Sequence, residues 1–91
     1  MSPLPRDQIL ALARRYGVES VRLFGSRARG DAGPASDVDL LVRMDPGRDL
    51  FDLVGFRRAL EQLLHLPVDV VSEGGLSPWL RDRILAEARP L

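Results

Sequence analysis

Two aspartates, Asp37 and Asp39, follow the pair Gly25-Ser26 after an interval of ten residues, in the stretch VRLFGSRARGDAGPASDVDLLV that runs from Val21 to Val42. Side chains two apart on a strand leave the same face, about 6.6–6.8 Å apart along its axis. A strand opening at Ser36-Asp37-Val38-Asp39 therefore aims both carboxylates one way and Val38 the other. Like charges held together oppose ionisation unless a cation sits between them, and hard divalent ions with oxygen ligands meet that need. Gly25 permits close approach of the backbone, and Ser26 offers a hydroxyl and an amide that can donate to a phosphate oxygen. Singly, a Gly-Ser pair is a turn and an Asp-x-Asp at a strand start is a solvated edge or a cap. Jointly, at this spacing, they describe phosphate and metal chemistry.

A third carboxylate comes from PVDVVS, Pro67–Ser72. Alternation puts Val68 and Val70 on one face and Asp69 on the other. An acid in an otherwise apolar strand is costly unless it is paired or bound to a cation, so Asp69 joins Asp37 and Asp39 as a candidate ligand. Asp69 is also placed to orient or deprotonate an attacking hydroxyl. Between the glycine and the aspartates lie Arg27 and Arg29, whose guanidinium groups suit phosphate oxygens; as plain loop residues they would simply be solvated. Asp31 reads as a local cap.

The elements that must position these groups follow from pattern. A first helix is expected from Pro5 to Tyr16, with Ile9, Leu12, Ala13 and Tyr16 at helical spacing and Gly17 as its stop. Val18–Phe24 reads as a strand with Val21 and Leu23 on one face and Phe24 in the core. A short helical or irregular turn ending at Gly33-Pro34 leads to the strand Val38–Met44, antiparallel to the first. The run Asp45–Asp49 is a turn, and a helix over Leu50–Leu64 carries the stripe Leu53, Phe56, Leu60, Leu63 and Leu64, with Gly55 as an interior weakness and His65 near its end. A crossover of this length lets Pro67–Ser72 run parallel to Val38–Met44, with a right-handed connection preferred. The three carboxylates then gather at the beginnings of two neighbouring strands. Ser77-Pro78 opens a last helix to Ala88, with Leu80, Ile84, Leu85 and Ala88 on one side. Trp79 is expected against the sheet; exposed, it would be a docking anchor. The fold class is α/β (α+β): a three-stranded mixed sheet with three to four helices.

Composition narrows the function classes. The 91 residues allow one small domain, residues 1–91, burying roughly 60–65% of the unfolded chain's surface. No apolar run approaches the roughly 18 residues of a membrane span, and Pro3, Pro5, Arg6 and Asp7 interrupt any secretory signal, so no membrane association and a cytoplasmic location are expected. Without Cys there are no thiolate metal sites or disulfides. Thirteen basic residues balance thirteen acidic ones, which argues against bulk nucleic-acid binding. Every basic residue is Arg, and a Walker-type P-loop needs a Lys.

The spacing Gly25-Ser26, ten residues, Asp37-Val38-Asp39 resembles the signature of the polymerase-beta-like nucleotidyltransferase superfamily. Within it, the short chain and the run FGSRARGDA resemble the minimal nucleotidyltransferases (MNT family), the antitoxin partners of HEPN-domain toxins. The resemblance implies a small nucleotidyltransferase fold and a Mg2+-dependent protein adenylyltransferase. Asp37, Asp39 and Asp69 would hold two Mg2+ ions, and Gly25, Ser26, Arg27 and Arg29 would bind the nucleotide triphosphate, ATP. AMP would pass to a tyrosine of a HEPN ribonuclease encoded nearby, making the chain the antitoxin of a type VII-like pair. Two alternatives are a binding module that neutralises its partner by steric cover, and a nucleotidyltransferase acting on a small molecule or an RNA end.

Overall fold

The computed structural model describes residues 4–33 and 36–91; Pro34 of the expected Gly33-Pro34 turn lies outside them. In chain order the elements are α1 (Arg6–Arg15), β1 (Val18–Phe24), α2 (Ser26–Arg29), β2 (Val38–Met44), α3 (Leu50–Leu64), β3 (Val68–Ser72), a 3-10 turn (Glu73–Gly75), α4 (Pro78–Glu87) and β4 (Arg89–Pro90). The sheet is mixed, in the order β3-β2-β1-β4. β1 runs antiparallel to β2 and to β4, and β2 runs parallel to β3.

This is the expected small α+β architecture with one strand more than the three read from sequence. The addition, β4, pairs Arg22 with Pro90 and Leu23 with Arg89. Two residues carry no alternation, and a proline suits only an edge strand, so nothing local announces this one.

Strand alternation divides the sheet into two chemically different faces. Val21, Val38, Leu40, Val42 and Val68 pack with Ile9 and Ala13 of α1 and Phe56 and Leu60 of α3 into one apolar core. Leu53, Leu63 and Leu64 complete the α3 stripe as half-buried neighbours. The register pairs Arg22 with Leu41, Phe24 with Asp39, and Asp39 with Asp69, so these residues share the opposite face. Phe24 thus stands on the carboxylate side rather than in the core, a consequence of its odd offset from Leu23.

The helices are tied at their ends. Asp49 caps α3 in a capping box with Asp52, each side chain accepting from the other's backbone amide at 3.2 and 3.3 Å, which satisfies two amides that a helix start leaves open. His65 ends the helix in the left-handed conformation, φ 55°, and its amide donates to the Glu61 carbonyl at 2.8 Å. Gly55, an interior weakness by propensity, lies under Tyr16, the residue that ends α1: a Cβ there would stand 2.7 Å from Tyr16 Cε1. The ring of Tyr16 is itself packed against Phe56 at a centroid distance of 6.4 Å.

Trp79 is a correction. It is 93% exposed, and no residue of α4 is fully buried. Proline at the first helical position fixes where α4 begins, and from that start the helix turns Trp79 and the half-exposed Leu80 outward, leaving Ile84 and Leu85 partly covered. Among the described residues no helix is long and apolar enough to cross a membrane.

Candidate active site

Gly25 sits between the end of β1 and the start of α2 with φ 76° and ψ −157°, a region that L side chains avoid. Its carbonyl accepts from the amides of Ala28 and Arg29, both at 3.1 Å, and so starts the short helix. Space is tight as well: a Cβ on Gly25 would overlap the Asp39 carboxylate and stand 3.0 Å from its Cγ, so Asp39 would have to shift. The Phe24–Asp39 register brings this about, because the residue after Phe24 must pass beside the Asp39 side chain. The close approach expected of this glycine is thus an approach to an acid of the site itself.

The loop back to β2 is pinned just before Asp37. Arg27 donates from Nε and from a terminal nitrogen to the Ser36 carbonyl at 3.3 and 2.8 Å. Ser36 Oγ accepts from the Gly33 amide at 2.8 Å, while the Ser36 amide donates to the Gly33 carbonyl at 3.1 Å. Asp37, exposed, precedes β2 by one residue.

β2 and β3 begin together, the Val38 amide donating to the Pro67 carbonyl at 3.0 Å and the Val68 amide to Glu61 at 3.2 Å. Parallel register then sets Asp69 beside Asp39. The Asp39 carboxyl titrates above its ordinary range: burial contributes most, followed by the charges of Asp69 and Asp37, a hydrogen bond with Asp69, and the charge of Glu87. Crowded carboxylates on a partly desolvated surface favour keeping one neutral or admitting a cation.

The donor set suits Mg2+ in kind. It is all oxygen, with few carboxylates, and its central member carries an unrelieved like-charge burden. As positioned, no three His, Asp or Glu side chains among the described residues are arranged to hold a metal ion. Asp39 and Asp69 are adjacent, and Asp37 flanks them from its exposed position.

Arg29 faces two carboxylates, donating to Glu87 at 2.5 Å and to Asp31 at 3.3 Å, which together hold its guanidinium charged more firmly than usual. Asp31 is therefore an ion-pair partner rather than a cap. Farther along the same face Glu73 bridges two arginines, pairing with Arg22 and, at 3.1 Å, with Arg43. Glu73 and Glu87 are acids that sequence reading missed: Glu73 directly follows β3 at the start of the 3-10 turn, and Glu87 comes from the end of α4, far along the chain from its partner Arg29.

A family model of the nucleotidyltransferase domain matches residues 6–91. A presumed protein adenylyltransferase of Methanocaldococcus jannaschii is 40% identical over 83 residues, covering 91% of this chain and 89% of that protein. Protein adenylyltransferase MntA of Thermococcus cleftensis is 37% identical over 76 residues, covering 84% and 77%. Among solved structures, a presumed minimal nucleotidyltransferase is 51% identical with a TM-score of 0.83, over 94% of this chain and 88% of that one. A chain of the complex between a tri-AMPylated Shewanella oneidensis HEPN toxin and its MNT antitoxin shares the fold, with a TM-score of 0.70 at 21% identity over 92% and 66% of the two chains. The chain belongs to the nucleotidyltransferase family, in its minimal form, alongside relatives named as protein adenylyltransferases.

Proposed function

We propose that this chain, acting as a single domain in the cytoplasm, transfers AMP from ATP to a tyrosine hydroxyl of a HEPN-domain ribonuclease encoded beside it, and so serves as the antitoxin of a type VII-like toxin–antitoxin pair. The observation that carries the reading is the crowding of Asp39, set in register with Asp69, flanked by Asp37 and packed against a glycine that leaves no room for a Cβ. Relatives named as protein adenylyltransferases support the reaction class. The AMPylated toxin in the complex that shares the fold supports the choice of acceptor.

Asp37, Asp39 and Asp69 are the ligands we assign to two Mg2+ ions. Held by these carboxylates, the ions would supply positive charge to the phosphates and to the oxygens of an in-line displacement. Gly25 lets the backbone lie close beneath the nucleotide, and Ser26 donates to the distal phosphates. Arg29 complements the phosphate oxygens, and Arg27, alongside that same role, holds Ser36 and so sets the approach of Asp37. Asp69, exposed at the start of β3, takes the proton of the acceptor hydroxyl. A bond forms between that oxygen and the α-phosphorus as the bond to pyrophosphate breaks, and pyrophosphate carries away the electron pair.

Intact-mass spectrometry of the neighbouring HEPN protein, after incubation with this chain, ATP and Mg2+, tests the reading. The expected result is a gain of one or more AMP groups that the Asp37→Ala/Asp39→Ala variant does not produce. An unmodified partner that still forms a stable, neutralised complex would replace this reading with steric neutralisation. Transfer to a small molecule or an RNA end without a protein partner would replace the acceptor.

A further inference from the structure

Glu87 brings to the site a carboxylate that the displacement does not require. It closes α4, and its side chain is 19% exposed against 50% for Arg29. Its Oε1 accepts from Arg29 at 2.5 Å, while the Nε edge of the same guanidinium turns to Asp31 at 3.3 Å. A guanidinium is a planar fork of donors that fits a carboxylate and a phosphate equally well. Both kinds of acceptor compete for the same N–H groups.

The contact is open to a small anion, because Arg29 and Glu87 line a shallow groove together with Arg83 and Ala86. The helix that delivers Glu87 is lightly held, with no buried residue along its length. Glu87 also adds, as the smallest contribution, to the negative field at Asp39.

We propose that Glu87 is a built-in stand-in for a nucleotide phosphate: it holds the Arg29 guanidinium, and nucleotide binding requires Arg29 to be handed over from Glu87 to the triphosphate. The inference rests on the assignment of Arg29 to the nucleotide made above. Affinity for ATP is then set in part by an ion pair that must break, and the C-terminal end of α4 is released when the site fills.

The test is calorimetric titration of the protein with ATP in Mg2+, for wild type, Glu87→Gln, Glu87→Asp, Arg29→Gln and the double variant Arg29→Gln/Glu87→Gln. Glu87→Gln is expected to tighten ATP about twofold to fivefold, the scale of one exposed ion pair. Glu87→Asp, which keeps the charge but shortens the reach, is expected to tighten it as well and serves if the glutamine variant does not fold. In the Arg29→Gln background the Glu87 substitution should change affinity little. Equal or weaker binding in both Glu87 variants overturns the handover, as does an equal tightening with and without Arg29, which would mark a simple field effect. Wild type that binds no ATP overturns the assigned site and the handover together; wild type that binds and transfers while the Glu87 variants match it overturns the handover alone.

Discussion

Gly25 is constrained twice over, since its φ of 76° disfavours any side chain and a Cβ there would crowd the Asp39 carboxylate. An alanine there must adopt a backbone conformation open essentially to glycine alone, costing about 1–3 kcal/mol, and pushes directly on the acid that the proposed reaction needs. Gly25→Ala is expected to lower stability by roughly 2–4 kcal/mol, combining that strain with local overpacking, and to abolish AMP transfer. Urea denaturation alongside the mass assay checks both; a variant as stable as wild type would refute the close contact. The positions of Asp39 and Asp69 were readable from alternation, because both lie inside strands whose period fixes the facing. The pairing of Arg29 with Glu87 was not, because Glu87 is distant in sequence by 58 residues and sits on a helix whose apolar pattern says nothing of where its last turn lands.

Among the elements, β1, β2 and α3 stand where pattern placed them, Val18–Phe24, Val38–Met44 and Leu50–Leu64, because each has enough residues to express a period. α2, the 3-10 turn and β4 are too short to do so. The packing of α1 on α3 through Gly55 is likewise invisible in a propensity scale. Gly55→Ala should gain helix propensity, about 1 kcal/mol, yet the new methyl meets Tyr16 Cε1 at 2.7 Å. Because Phe56 backs that ring, we expect a net loss of about 1–2 kcal/mol from overpacking. In a Tyr16→Ala background the same substitution should become stabilising by about 0.5–1 kcal/mol. Equilibrium unfolding of the four proteins in this cycle measures the coupling, and additivity would show that the two helices do not meet there.

The molecule as a whole is compact, with a radius of gyration of 12.4 Å, against about 12 Å expected for a folded chain of this length. Its two sheet faces divide the labour: one buries the apolar core, and the other collects Asp39, Asp69, Arg22 and Arg43. A ligand that binds only the folded chain and relieves the crowding on the second face stabilises the whole molecule. At a hundredfold excess over its dissociation constant, Mg2+ with ATP should add about 2.7 kcal/mol, on the order of 10 °C in Tm for a domain of this size. The shift should be absent in Asp37→Ala/Asp39→Ala. Thermal melts with and without the ligand read it directly, and an unshifted wild type would count against the acids as a binding site.

What the sequence determined by itself was local and periodic: the strand period that turns Asp39 and Asp69 away from the core, the turn chemistry of Gly25-Ser26, the amphipathic stripe of α3, and the crossover length that makes β3 parallel to β2. These follow from backbone geometry, which acts over a few residues and leaves its mark on residue types. The tertiary structure alone decided the rest: the register that presses Gly25 onto Asp39, the docking of α1 over Gly55, the outward face of Trp79, the edge strand β4, and the meeting of Glu87 with Arg29. Each of these depends on how far one packed element sits from another, and that distance is set by the summed volumes of the core, which no single stretch of chain encodes.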